Sequence, residues 1–69
     1  MKMLKYELVK GDWKLTYHNW GFVAIDNLQD ENESYVWQDY DNSDDEHFKS
    51  LCDNRDWENV IDYIVKMVS

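Results

Sequence analysis

The sequence predicts an α+β fold: a small antiparallel β-meander of three to four strands, followed by two C-terminal helices packed on one face. Three observations predict it. Apolar residues alternate with period two in the N-terminal part of the chain, the mark of half-buried strands. After Tyr40 the hydrophobic period lengthens to that of a helix. The two patterns do not interleave, and strands followed by helices build an antiparallel sheet covered on one side.

The elements follow in order. Over residues 3–10, Leu4, Tyr6 and Leu8 share one side, flanked by Lys5, Glu7 and Lys10. Gly11-Asp12 then reads as a two-residue hairpin turn. Over residues 13–19, Trp13, Leu15 and Tyr17 alternate with Lys14, Thr16 and His18. Asn19-Trp20-Gly21 is a second turn. Phe22 to Asp26 is a third strand, favoured by Val23 and Ile25. Its core side is ambiguous, because Phe22 and Ala24 are apolar too. Asn27 to Glu33 is a polar, acidic loop. Ser34 to Tyr40, rich in aromatic and β-branched residues, is the candidate fourth strand.

Ser43-Asp44-Asp45-Glu46 has the spacing of a capping box, with the Ser43 hydroxyl on the Glu46 amide. It predicts a short helix to about Cys52 with Phe48, Leu51 and Cys52 inward. Asp53-Asn54 breaks that helix and is placed to cap a second one. There Trp57, Val60, Ile61, Ile64 and Val68 follow helical spacing, and Glu58, Asp62 and Lys66 form a polar row.

With 69 residues, the chain reads as one domain over 1–69, and 16% aromatic residues build the core of so short a chain. Cys52 is the only cysteine, which fits a reducing compartment. There is no long apolar run, and Met1-Lys2-Met3-Leu4-Lys5 lacks the apolar stretch of a signal peptide. We therefore expect a soluble cytoplasmic protein, a monomer or weak dimer. A formal net charge of −8 opposes binding to anionic membranes and direct binding to nucleic acid, which needs Lys and Arg.

That charge is localised. Residues 1–14, 15–48 and 49–69 carry +2, −9 and −1. Between Leu15 and Phe48 there is no lysine or arginine. The carboxylates there are Asp26, Asp30, Glu31, Glu33, Asp39, Asp41, Asp44, Asp45 and Glu46. Like charges without internal counter-charges repel and destabilise a fold, so the field is a candidate for use rather than for solubility alone.

Other chemistries find less support. Asp39, Asp41 and Ser43 match the start of a calcium loop. Asp44 then stands where glycine is needed, and Ser50 where a bidentate Glu is needed. His47 and Cys52 are two residues, too few for a zinc site. Cys52 has acidic neighbours, Asp53 and Asp56, the wrong sign for an activated thiol. We expect no catalytic residues, no metal and no cofactor, and read the chain as a non-enzyme. Trp57 and Trp13 read as core. Trp20, together with Trp37 or its neighbours Tyr35 and Tyr40, are the candidate exposed anchors, since Trp and Tyr dominate interface hot spots.

Residues two apart on a strand lie about 7 Å apart on one face. If extended, Glu31 with Glu33 and Asp39 with Asp41 would imitate phosphate spacing, with aromatics standing in for bases. In size and character, through the segments Asp26 to Glu33 and Asp39 to Glu46, the chain resembles the small acidic inhibitors carried by phages and mobile elements, the DNA-mimic and anti-CRISPR proteins that block host nucleases. The resemblance implies an inhibitor that binds a basic nucleic-acid-handling protein, such as a nuclease or CRISPR effector, by nucleic-acid mimicry. The contact residues carried over are Asp26, Asp30, Glu31, Glu33, Trp37, Asp39, Tyr40, Asp41, Asp44, Asp45 and Glu46. Two alternatives stay open: a small assembly protein that binds through its aromatics, and an immunity or antitoxin protein against a basic nuclease.

Overall fold

The computed structural model describes residues 4–68. Strands β1 (Lys5–Lys10), β2 (Trp13–His18), β3 (Val23–Asn27) and β4 (Ser34–Trp37) form one antiparallel sheet in the order β1-β2-β3-β4. A 3-10 turn over Tyr40–Asn42 leads to helices α1 (Glu46–Asp53) and α2 (Trp57–Val68). The fold is the α+β meander with two C-terminal helices that the sequence predicts.

The first hairpin pairs Lys10 with Trp13 across Gly11-Asp12. Gly11 has φ +61 and Asp12 is not left-handed, the combination of a II′ turn, whose twist matches that of the strands. Met3, the first residue of the predicted strand, lies outside the described residues. The β2–β3 turn closes through Gly21 N–H to the His18 carbonyl (2.9 Å) and His18 N–H to the Phe22 carbonyl (3.0 Å). β4 ends at Trp37, short of the predicted Tyr40. The Asp39 carboxylate accepts the Asp41 N–H (3.0 Å) and starts the 3-10 turn, while the Tyr40 N–H donates to the Gly21 carbonyl (3.0 Å).

One sheet face is the core. Leu15, Tyr17, Val23 and Ile25 meet Phe48 and Cys52 of α1 and Trp57, Val60, Ile61 and Ile64 of α2. The β3 ambiguity is thereby resolved: Val23 and Ile25 face the helices, and Ala24 faces away. Ala24 is nonetheless buried, between its cross-strand neighbours Thr16 and Val36. β1 is less buried than its alternation predicts. Leu8 alone reaches half-burial, and Leu4, Tyr6 and Val9 are exposed, because an edge strand has a neighbour on one flank only. Val68, predicted inward, is exposed at the end of α2.

The helix boundaries also differ. Asp45, not Ser43, caps α1: its Oδ1 accepts the Phe48 N–H (3.1 Å), the usual reach from N-cap to N3. Ser43 Oγ accepts the Asp45 N–H (3.1 Å) and fixes the approach to that cap. Asn54 ends α1 but does not begin α2. The Arg55 N–H bonds the Cys52 carbonyl and the Asp56 N–H the Leu51 carbonyl, each at 3.0 Å, a Schellman closure. The Asp56 carbonyl then accepts the first helical bond of α2, from Val60 (3.0 Å).

Two predictions follow from this packing. Truncating a fully buried Ile costs about 2–5 kcal/mol, a large part of the ~5 kcal/mol expected of so small a domain. Ile61→Ala and Ile64→Ala should each lower the thermal midpoint steeply, and a midpoint that hardly moved would show that α2 does not pack as described. At Gly21 (φ +112) a Cβ would meet Asp39 Oδ1 at 2.6 Å, whereas at Gly11 it meets nothing within 4 Å. Gly21→Ala should therefore destabilise more than Gly11→Ala, whose cost is the left-handed backbone alone, about 1–2 kcal/mol. Paired denaturant titrations check the order.

Candidate partner-binding surface

The acidic segment is continuous in sequence but not in space. The β3–β4 loop carries Asp30, Glu31 and Glu33. It lies beside the first hairpin turn, where the Leu28 N–H donates to the Asp12 carbonyl (2.6 Å). Asp39, Asp41, Asp44, Asp45 and Glu46 lie at the other end of β4, beside the Trp20-Gly21 turn. Between the two groups runs β4, an open edge without a charged residue. At about 3.4 Å of rise per residue, the four-residue strand alone spans roughly 10 Å, and the two groups lie beyond its ends.

The phosphate-like ladder does not form. Glu31 and Glu33 sit in a turn closed by the Glu33 N–H on the Asp30 carbonyl (3.0 Å). Asp39 and Asp41 sit at and inside the 3-10 turn. Neither pair is on a strand, so the 7 Å spacing of alternate strand residues does not apply to them.

The nine carboxylates divide by what they already hold. Asp26 accepts from Ser34 Oγ (2.6 Å) on the outer face of the sheet. Asp30 accepts the Asn32 N–H (3.0 Å), and Asp39 the Asp41 N–H (3.0 Å). Asp45 caps α1 and also accepts the Tyr63 hydroxyl of α2, tying the two helices together. Glu46 pairs with Lys49 (3.1 Å), the one ion pair of the segment among the described residues. Glu31, Glu33, Asp41 and Asp44 remain, with no side-chain hydrogen bond or ion pair among the described residues. They stand in two pairs, one at each end of β4.

The basic residues cluster elsewhere. Lys5 (3.5 Å) and Lys14 (2.8 Å) converge on Glu7, on the outer face of β1 and β2. Lys10 reaches Asp62 of α2 (2.7 Å). The sheet is therefore polarised across its width, with lysines towards β1 and uncompensated carboxylates around β4.

The anchor candidates separate as clearly. Tyr40 is not exposed: only 7% of it is accessible, and its hydroxyl donates to Asp53 (2.8 Å) and accepts from Arg55 Nη1 (3.2 Å). The short β4 carries Tyr40 past the sheet edge and under the core. Burial raises its hydroxyl pKa above the ordinary tyrosine value. Trp37 is half-buried and packs on Phe48 at 4.7 Å between ring centres, and Tyr35 packs on Trp13 at 6.4 Å. Trp20 is 50% exposed, as its turn position predicts. It lies over Phe22 (5.5 Å) and His18 (6.2 Å) on the outer face of the sheet. Phe22 and His18 were not singled out by sequence. The signal was their period-two relation across the turn, which puts both on the side away from the helices.

His47 lies edge-on to Tyr63 at 4.7 Å and is exposed. Cys52 is fully buried, and burial pushes its thiol up to about 12, the opposite of activation. Among the described residues no group of three or more His, Cys, Asp or Glu is placed to hold a metal ion, and no helix is long and apolar enough to cross a membrane. Compared with protein-family models, curated proteins and solved structures, the chain matches none.

The Asp45 cap yields a pH prediction. The Tyr63 hydroxyl, then the Phe48 N–H, holds the Asp45 carboxyl below the usual aspartate range. A carboxyl depressed by folding contributes stability above its unfolded value, and that contribution is lost as pH falls through the folded value. The thermal midpoint should therefore fall more steeply from about pH 4 to about pH 2 in the parent than in Asp45→Asn. Parallel slopes would remove Asp45 as a contributor.

Proposed function

We propose that the protein is an acidic inhibitor that binds a basic, nucleic-acid-handling protein, of nuclease or CRISPR-effector type, and blocks access of its nucleic acid. It acts as a binding protein and not as an enzyme. The observation that carries this reading is the position of Glu31, Glu33, Asp41 and Asp44. They are the carboxylates of the segment that local structure leaves unengaged, and they flank an open, uncharged strand edge. A surface of this kind is attracted to Lys- and Arg-rich grooves and associates fast with them. The mimicry is of charge, without a strand-borne phosphate register. Trp20, exposed at the end of the molecule that holds Asp41 and Asp44, supplies an aromatic anchor.

A second reading has its own support. The apolar side chains left open on β1, and the Trp20-Phe22-His18 cluster, fit a small assembly protein for which the acid serves solubility alone. Salt separates the two, because a charge-driven complex weakens markedly as ionic strength rises.

The test is capture of partners from the source lysate at two salt concentrations. Competition against labelled nucleic acid on the captured protein follows. Paired reversals of Glu31 and Glu33 to Lys, and of Asp41 and Asp44 to Lys, should each slow association roughly tenfold or more at low salt, and less at high salt. Reversal of Glu58 and Asp62, on α2, should matter little. Trp20→Ala should instead speed dissociation. Asp39 and Asp45 are unsuitable for reversal because each holds a turn or a helix end. If both paired reversals compete as well as the parent, the acidic surface is solvation only.

A further inference from the structure

We propose that the cleft between β1 and the α1–α2 junction binds a small planar aromatic anion, with Arg55 as its anion receptor. The inference is independent of the acidic-inhibitor reading. The cleft holds about 460 Å³, within the range of small-molecule sites. Its walls are the rings of Tyr6, Tyr17 and Trp57, with Asn19 and Arg55 as its polar residues; Lys5 borders it, but the Lys5 ammonium lies at Glu7 on the outer face of the sheet (3.5 Å).

The first observation is the sign of the lining. The chain has 15 acidic residues against 7 basic ones, yet no carboxylate lines this cleft, and the cation on its helix side is Arg55. Two other clefts of similar size mix the signs, with Lys10 and Lys66 in the first and Lys49 in the second beside their carboxylates. The first contains Asp12 and Asp62, the second Asp41, Glu46 and Asp53.

The second observation is the backbone of Arg55. With φ +57 it is the one left-handed non-glycine among the described residues, and it occupies the Schellman position where glycine is the usual residue. An L side chain costs about 1–2 kcal/mol in that conformation. Local folding alone would favour glycine, and strain of this kind points to a use for the side chain.

The third is the fixed head group. Arg55 Nη1 donates to the Cys52 carbonyl (2.8 Å) and to the Tyr40 hydroxyl (3.2 Å). The guanidinium carbon lies 4.9 Å from the Tyr17 ring centre and 6.0 Å from that of Trp57. Both Nη1 protons are thereby used. Nε and Nη2 keep their donors, in the forked arrangement that suits a carboxylate or a phosphate. Arg55 makes no ion pair among the described residues. Asp53 is reached from it through the Tyr40 hydroxyl.

The fourth is an open stacking surface beside that charge. Tyr6 stacks on Trp57 at 6.3 Å between ring centres, with 44% of its surface still exposed. A flat ring laid on this wall would present its acidic substituent to Arg55, with Asn19 at the rim. Ring stacking and a charge-assisted fork together distinguish an aromatic anion from a simple inorganic one.

The probes are indole-3-carboxylate and phenyl phosphate, with neutral indole and acetate as controls, titrated into the labelled full chain and followed by NMR. Either aromatic anion should shift the Trp57 indole N–H and the Arg55 Nε–H saturably, at least tenfold more tightly than indole or acetate. The arm that binds more tightly identifies carboxylate or phosphate as the preferred group. Arg55→Gly relieves the left-handed strain, so it should stay folded and lose roughly tenfold or more in affinity, the scale of a lost charge-assisted hydrogen bond. Tyr6→Thr keeps a residue suited to strands and should also weaken binding. Equal binding of neutral indole, shifts away from this cleft, or unchanged affinity in folded Arg55→Gly would each overturn the proposal.

Discussion

Everything in this small molecule depends on a single apolar layer pressed between one face of the sheet and two short helices. Leu15, Val23 and Ile25 from the sheet, Phe48 and Cys52 from α1, and Val60, Ile61 and Ile64 from α2 are almost wholly removed from water. No disulfide supplements that layer, since Cys52 is a free buried thiol. A chain of this length has no second core to fall back on. Among the described residues no polar or charged residue is buried, so their carboxylates and cations are forced to the periphery. The charge pattern at the surface is thus decided by topology, and burial provides no other outlet for it.

Topology divides what the sequence joins. A meander returns each strand beside the last, so the loop before β4 and the turn after it fall at opposite ends of the sheet. The acidic segment spans both. Local structure then engages some of its members. Asp30 and Asp39 satisfy turn amides, Asp45 holds a helix end, and Asp26 takes a serine hydroxyl. These groups still contribute to the field, because a hydrogen bond to a neutral donor leaves the charge in place. They are less available to a partner, however, because withdrawing them exposes backbone donors to loss. Field and contact are therefore carried by overlapping but different sets of residues.

Much of the architecture was legible because it rests on period and turn chemistry. Leu15 and Tyr17 alternate, Gly11-Asp12 closes a hairpin, and Trp57, Val60, Ile61 and Ile64 repeat at helical spacing. What was not legible came from competition between neighbours that share a chemistry. Ser43 and Asp45 are both good caps, and the choice between them depends on where the chain leaves Tyr40. Tyr40 itself carries the same aromatic signal whether buried or exposed. Its burial follows from a 3-10 turn that Asp39 nucleates two residues after β4 ends. The strand spacing assumed for Asp39 and Asp41 failed for the same reason: two residues apart means 7 Å only when the backbone is extended. At the candidate site, the acidic locality was visible in sequence, but the distinction between engaged and unengaged carboxylates required the folded loop geometry.

Arg55 gathers these constraints at one point. The helix junction needs a left-handed residue to turn the chain, and the core needs that turn to be tight so that Trp57 can reach Tyr17. Glycine would meet both needs. An arginine there bears a conformational cost and introduces a charge at the lip of the core. Part of that cost is offset where its guanidinium returns to the Cys52 carbonyl and lies over Tyr17. The offset fixes the head group while leaving half of its fork unspent, on the β1 side of a molecule whose uncompensated acids gather around β4. The same economy of a single core that drives the carboxylates outward therefore leaves a fixed cation among aromatic rings at the edge of that core.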